Sequence, residues 1–151
     1  MAPTAKRGTN EREDEKRHFF LKMIPPTKTQ QEHRIGKTRT GRLYMYEDRE
    51  LKQIRQQYRD ALRPFIPESP LQGPLRLVVK WLFPIRGKSH KHGDYKATRP
   101  DTDNLQKLLK DCMIKCGYWK DDALVASEIC EKFYGEIPGI WIRIEELDNG
   151  H

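Results

Sequence analysis

Apolar and polar residues alternate most cleanly in two stretches. Leu75, Leu77, Val79, Trp81 and Phe83 take every second position, with Arg76 and Lys80 between them, and Ile140, Ile142 and Ile144 do the same further on. A period of two puts one set of side chains on one face of a strand, so Leu75–Phe83 and Ile140–Glu145 are predicted strands. Elsewhere the period lengthens to three and four. Leu51, Ile54, Tyr58, Ala61 and Leu62 mark a helix over Tyr46–Arg63, which Pro64, Pro67 and Pro70 bring to an end. Leu105, Leu108, Leu109, Cys112, Met113 and Cys116 mark a stronger helix over Asn104–Cys116, with Gly117 as its stop. His18–Ile24, closed by Pro25 and Pro26, and Leu124–Tyr134 are further strand candidates. Thr27–Leu43 and Pro84–Arg99 read as long polar loops, and residues 1–17 as a disordered arm of mixed charge. The expected fold class is α+β: one domain over residues 18–147, with a small mixed sheet of about four strands and two main helices.

Charge divides the chain. Its net charge is +7, but residues 1–99 hold 23 Lys and Arg against 11 Asp and Glu, whereas residues 100–151 hold 6 against 11. A basic majority suits a polyanionic partner, nucleic acid first, although a soluble protein with a lysine-rich surface has the same balance. The cations concentrate in three places. Lys28, Arg34, Lys37, Arg39 and Arg42 lie in the first loop, and Lys52, Arg55, Arg59 and Arg63 form a ridge on the first helix. Arg86, Lys88, Lys91, Lys96 and Arg99 share the second loop with His90, His92 and Tyr95. These are the expected DNA-binding residues. No apolar run spans a bilayer, residues 1–17 do not resemble a signal peptide, and three cysteines make no disulfide framework. The expected location is cytoplasmic, with no membrane partner.

An acidic minority inside a basic protein is the sharper clue. Asp101 and Asp103 stand at the start of the stronger helix, and Asp121 and Asp122 follow a short turn after it. Hard cations such as Mg²⁺ take carboxylate oxygens, and such an ion polarises a phosphate and lowers the pKa of an attacking water. The helix carries the chain roughly 18 Å away at 1.5 Å per residue. Residues 117–122 span about 20 Å at roughly 3.3 Å each, so a return within one chain is just possible. Supply of Asp122 by a partner protomer is the alternative. Plainer readings exist for the same residues. Asp101, Thr102 or Asp103 could cap the helix, Asp103 with Lys107 could be a helical ion pair, and Asp121-Asp122 could be an ordinary turn. Cys112 and Cys116, with His90 and His92 upstream, could be imagined around zinc, but buried thiols in a leucine stripe are the simpler account. Trp81, Trp119 and Trp141 read as core or interface residues.

The run Asp101-Thr102-Asp103-Asn104-Leu105-Gln106-Lys107, then Asp111, then Gly117-Tyr118-Trp119-Lys120-Asp121-Asp122-Ala123-Leu124-Val125 resembles the signature of the RusA family of Holliday junction resolvases in order, spacing and residue type. The similarity spans about residues 18–146 and includes Lys132-Phe133-Tyr134-Gly135 and Pro138-Gly139-Ile140. It implies a homodimeric, Mg²⁺-dependent endonuclease, often carried by phages or prophages, in which Mn²⁺ can substitute. Such an enzyme nicks two strands of a four-way junction symmetrically. It implies Asp101, Asp103 and Asp122 as metal ligands and Lys107 as a catalytic residue, with the role of Asp121 open. A two-fold dimer suits a substrate with two equivalent strands, and Tyr118 and Trp119 are interface material or core. The loop Pro84–Arg99 and the arm 1–17 are longer than the compact form of the family, which bears on substrate preference. Two competing functions are a broader nuclease for flaps, forks or other branched DNA, and a DNA-binding protein without cleavage activity.

Overall fold

A computed structural model of the chain describes residues 17–28, 34–37, 39–46 and 49–148; at 34–37 and 43–46 it describes the course of the backbone. All of the expected arm except Arg17 lies outside the described residues. Strand β1 is His18–Leu21, β2 is Arg34–Lys37 and β3 is Leu43–Tyr46. Helix α1 is Arg49–Leu62, β4 is Leu75–Pro84 and α2 is Thr102–Cys116, followed by β5, Val125–Gly135, and β6, Gly139–Glu146. The main sheet has the order β1-β6-β4-β5. Strands β4 and β5 run parallel, and β6 is antiparallel to both β4 and β1, so the sheet is mixed as expected.

The alternation along β4 is realised in full. Leu75, Leu77, Val79, Trp81 and Phe83 are buried while their neighbours are half-exposed. Ile140, Ile142 and Ile144 of β6 complete the same inner face. Leu105, Leu108, Leu109, Cys112 and Met113 of α2 and Leu51, Tyr58 and Leu62 of α1 close the core over it. Each fully buried aliphatic side chain contributes roughly 1.5–3 kcal/mol, so these two patterns dominate the folding energy.

Helix α2 ends as Gly117 predicts. The glycine adopts φ 95°, its N–H donates to the Ile114 carbonyl and the Tyr118 N–H donates to that of Met113. That pair of bonds is a Schellman cap, which needs the left-handed residue that glycine supplies without strain. Tyr118 and Trp119 then turn inward, 0% and 1% exposed, and the Tyr118 hydroxyl donates to the Leu62 carbonyl at 2.7 Å. They are core, not interface.

Three expectations need correction. The segment expected as the loop Thr27–Leu43 contains β2, which pairs with β3 in a separate two-stranded ladder, Arg34 opposite Tyr46 and Lys37 opposite Leu43. Strands of four residues, one of them basic at both ends with a glycine between, are too short to display a period of two. With 43–46 taken by β3, α1 begins at Arg49 rather than Tyr46. Strand β1 stops at Leu21, and Ile24 is 61% exposed.

Candidate active site

The start of α2 is held from the sheet. The Lys132 ammonium, on β5, donates to the carbonyls of Thr98 at 2.6 Å and Pro100 at 2.8 Å. Pro100 is buried, and Asp101 follows it as the N-cap residue of α2 with extended backbone. One turn further in, buried Gln106 bridges the layers: it accepts from the Trp81 indole at 2.9 Å and donates to Glu128 at 2.7 Å, and Glu128 also accepts from Lys110 at 3.0 Å. Neither Lys132 nor Gln106 stands out in the sequence, because their partners are remote in the chain and two of them are backbone carbonyls.

On this frame Asp101, Asp103 and Lys107 are exposed on the first two turns of α2. Asp101 occupies the capping position, yet its carboxylate makes no cap bond. Among the ion pairs of the described residues, none joins Asp103 to Lys107. The helix N-terminus adds the partial positive charge of its unpaired N–H groups, which favours carboxylates there. Two carboxylates left without protein partners at this point are suited to an external cation.

Asp121 and Asp122 behave differently from each other. The Asp121 carboxylate accepts from the Ala123 N–H at 2.9 Å and so caps the short 3-10 turn Asp122–Leu124. Asp122 is exposed at the start of that turn. Beside the turn lies an open cavity of about 390 Å³ bordered by Pro70, Leu71, Gly73, Lys120 and Leu124. Gly73 is obligatory there: a Cβ would sit 2.9 Å from that of Leu124 and 3.1 Å from the Leu124 carbonyl oxygen.

The two halves of the acid set lie at opposite ends of β5. Asp122 precedes Val125, which pairs with Leu75 at one end of the β4–β5 ladder, while Lys132, which holds Pro100, pairs with Trp81 towards the other. Seven strand residues, roughly 23 Å at 3.3 Å each, separate those points. Among the described residues no group of three or more His, Cys, Asp or Glu side chains could hold a metal ion within one chain. The structure brings Asp101 and Asp103 together and leaves Asp122 apart.

The basic residues also divide. Lys52 and Arg59 are exposed on α1 and Arg63 in the 3-10 turn just after it, as are Arg86, Lys88, Lys91 and Arg99 in the loop after β4 and Arg39 and Arg42 after β2. Arg34 and Lys37 are on β2, where only the backbone course is described. Lys28 pairs with Glu50 at 3.3 Å. Arg55, expected on the DNA-binding ridge, must be removed from it. It is 7% exposed and its guanidinium meets Asp111 at 2.6 Å, because position 55 falls on the same helical stripe as Leu51, Tyr58 and Leu62. Burial pushes the Asp111 carboxyl up, but the Arg55 hydrogen bond and the Lys115 and Arg55 charges outweigh it and hold its pKa below the usual value. Lys96 is half-buried, over the rings of Phe83 and Tyr134 at 5.1 and 5.2 Å, and donates to the Thr98 hydroxyl, so it shapes the loop more than it faces solvent. His90 stacks on Tyr134 with centroids 4.0 Å apart, and His92 Nδ1 accepts from the Glu136 N–H. Cys112 belongs to the core, and burial pushes its thiol up to about 11. That is the behaviour of a buried structural thiol, which favours the simpler account of the cysteines.

A small mixed-sheet domain with an exposed D-x-D helix start and a basic surface suits an enzyme that acts on DNA. The sequence matches the family Endodeoxyribonuclease RusA over residues 24–145, and the chain belongs to that family. It is 36% identical over 74 residues to the crossover junction endodeoxyribonuclease rusA of Lactococcus phage r1t, a match covering 49% of this chain and 56% of that protein. It is also 29% identical over 122 residues to the uncharacterized protein YqaN of Bacillus subtilis strain 168, covering 74% of this chain and 85% of that protein. No helix among the described residues is long and apolar enough to cross a membrane.

Proposed function

We propose that this protein resolves Holliday junctions as a Mg²⁺-dependent homodimer, by paired symmetric nicks in two equivalent strands. The observation that carries the reading is the start of α2, where Asp101 and Asp103 present carboxylates without protein partners beside the cationic Lys107, on a helix end anchored from behind by Lys132. The donor set is hard oxygen, which fits Mg²⁺, with Mn²⁺ as a substitute. Asp101 and Asp103 of one protomer would hold the ion together with the partner's Asp122, since the two halves of the set lie at opposite ends of β5. When bound, the ion polarises the scissile phosphate and lowers the pKa of a water. Lys107 stabilises negative charge on the phosphate during cleavage. The exposed cations of α1 and the loop after β4 bind the backbone of the DNA arms. A two-fold dimer provides two identical sites for two matched cuts.

The test is nicking of a synthetic four-way junction beside a linear duplex and a flap, with and without Mg²⁺. Symmetric cuts in the junction alone support the reading. Equal cutting of flaps and forks would replace it with a broader branched-DNA nuclease, and metal-independent binding without any cut would leave a DNA-binding protein.

A further inference from the structure

The chain entering β4 and the chain entering β5 run side by side before Leu75 and Val125 join in the ladder, and between them lies the open cavity beside the Asp122 turn, about 390 Å³. Its walls are tied together at two points. The Leu71 N–H donates to the carbonyl of buried Tyr118 at 2.7 Å, and Gly73 lies so close to Leu124 that no side chain fits between them. Pro70, Leu71 and Leu124 give the cavity apolar sides, and Ser69, Gln72 and Lys120 stand around them. Among the described residues, no hydrogen bond or ion pair engages those three polar side chains. A preformed hollow of this size, apolar within and carrying a few unengaged polar groups, has the form of a small-molecule site rather than of a protein contact, which needs a broad surface.

Position narrows the ligand. Leu124 stands two residues after Asp122 and Lys120 two residues before it, each at most roughly 7 Å away along the chain. When Asp122 joins the metal that polarises the scissile phosphate, the cavity therefore stands beside the nucleotides that flank the cut. We propose that the cavity receives one nucleobase of the nicked strand, turned out of the helix next to the scissile phosphate. The inference rests on Asp122 as a metal ligand, proposed above, and adds a base-binding site beside it. Pro70 and Leu124 supply apolar cover for the base. Gln72 and Ser69 offer donors and acceptors to its edge, and Lys120, a donor only, takes a carbonyl oxygen of the base or the adjoining phosphate. Turning out a base costs least where it has already lost a stacking neighbour, and the exchange point of a four-way junction is such a place. Within a continuous duplex the same step costs full unstacking and unpairing, so the pocket favours branched over linear DNA.

The test uses the whole chain and synthetic four-way junctions carrying 2-aminopurine, a base that fluoresces when unstacked, at one or other position flanking the cut. With Ca²⁺ replacing Mg²⁺ to keep the strands intact, binding should raise the fluorescence at one position by about threefold or more, because the base leaves the stack and the cavity lining has no aromatic ring to quench it. Ser69→Ala combined with Gln72→Ala, both at exposed positions, should remove most of that rise. In Mg²⁺ the double variant should nick the unmodified junction about tenfold more slowly than the parent, the scale of one or two lost hydrogen bonds. On a junction lacking that one base the two proteins should nick at the same rate, whereas a folding defect would slow the variant on both. A fluorescence rise that is equal in the two proteins, or a deficit that persists without the base, overturns the pocket alone. So does a flat signal at both positions from a protein that nicks normally. A double variant that sediments at a different mass from the parent also overturns it, by marking the cavity as a contact between chains. A parent that cuts no junction in Mg²⁺ overturns the proposed function, and the pocket with it.

Discussion

At the Lys132 end of β5 buried and half-buried side chains hold the backbone that enters Asp101, whereas at the Val125 end the turn that carries Asp122 rests on its own Asp121 cap and on Gly73 against Leu124. The backbone entering Asp101 is bonded twice to the Lys132 ammonium, and the next turn is locked by Gln106 between Trp81 and Glu128. Asp122 sits on one short turn capped by Asp121, beside an open cavity. A site meant to hold a divalent ion needs its ligands fixed within fractions of an ångström. The backbone leading into Asp101 and Asp103 is fixed in that way within one chain, and under the proposed shared site the Asp122 turn would gain a comparable setting against a second protomer.

The largest expected effect strikes both ends equally. Asp101→Asn, Asp103→Asn or Asp122→Asn should each lower junction nicking by on the order of 10³-fold, since each removes a charge acting on the transition state. Junction affinity in gel shift should stay within a few-fold. Asp103→Asn is the decisive member, because Asp103 lies exposed in the first turn, not at the cap, and the isosteric change should leave α2 intact. Full nicking by that variant would reduce Asp103 to a helix-start residue.

Much of this contrast can be read in the sequence, and the unread part has a common cause. The alternation of Leu75–Phe83 and the stripe of Leu105–Met113 fix which faces are buried, and the spacing from Asp101 to Asp122 marks the acid set. Pairing that leaves no periodic trace is invisible. Strands β2 and β3 are four residues each, too short to show a period, and Lys132 bonds to carbonyls 32 and 34 residues away. Arg55 is a different case. Four residues after Leu51 and three before Tyr58, it lies on the apolar stripe by spacing alone, but a charged residue on a basic helix reads as outward-facing. Its partner Asp111, 56 residues on, is the reason it can turn in.

Lys132 separates anchoring from catalysis. Lys132→Met should lower nicking by about 10–100-fold, the usual cost of losing an outer support of a metal site. The loss should appear as a raised Mg²⁺ requirement, with partial recovery in Lys132→Arg, whose guanidinium also reaches two carbonyls. An unchanged Mg²⁺ titration curve would show that the start of α2 holds its position without this anchor.

On α1 the same contrast appears between arginines. Lys52→Gln, Arg59→Gln and Arg63→Gln together should weaken junction binding about tenfold near physiological salt. They should also flatten its salt dependence, by nearly one unit of slope for each phosphate that is no longer neutralised. Arg55→Gln should leave the slope alone and cost about 2 kcal/mol of stability by urea denaturation, because Asp111 loses its closer and more buried partner and keeps only Lys115, discounted for its partial exposure. The Asp111 pKa is lowered on folding. The stability of the pair is therefore complete above the ordinary carboxylate pKa of about 3.9 and is lost as pH falls through the lowered value. An Arg55→Gln variant of parental stability with a flattened salt slope would return Arg55 to the DNA-binding surface.

The smallest effect is the most discriminating for the Asp122 end. Asp121 and Asp122 are adjacent, acidic and exposed, yet only Asp121 is engaged, with the Ala123 N–H at 2.9 Å. If Asp121 is a turn cap, its charge is dispensable and its oxygen is not. Asp121→Asn keeps an acceptor and should change nicking by less than about threefold, because Asn caps such turns nearly as well as Asp. Asp121→Ala loses the acceptor and should cost about 1 kcal/mol of stability, with a modest fall in nicking as Asp122 loses its setting. The comparison is made by junction nicking and urea denaturation on the same three proteins. A loss in Asp121→Asn as deep as that in Asp122→Asn would make Asp121 a ligand and give the Val125 end two carboxylates for the metal.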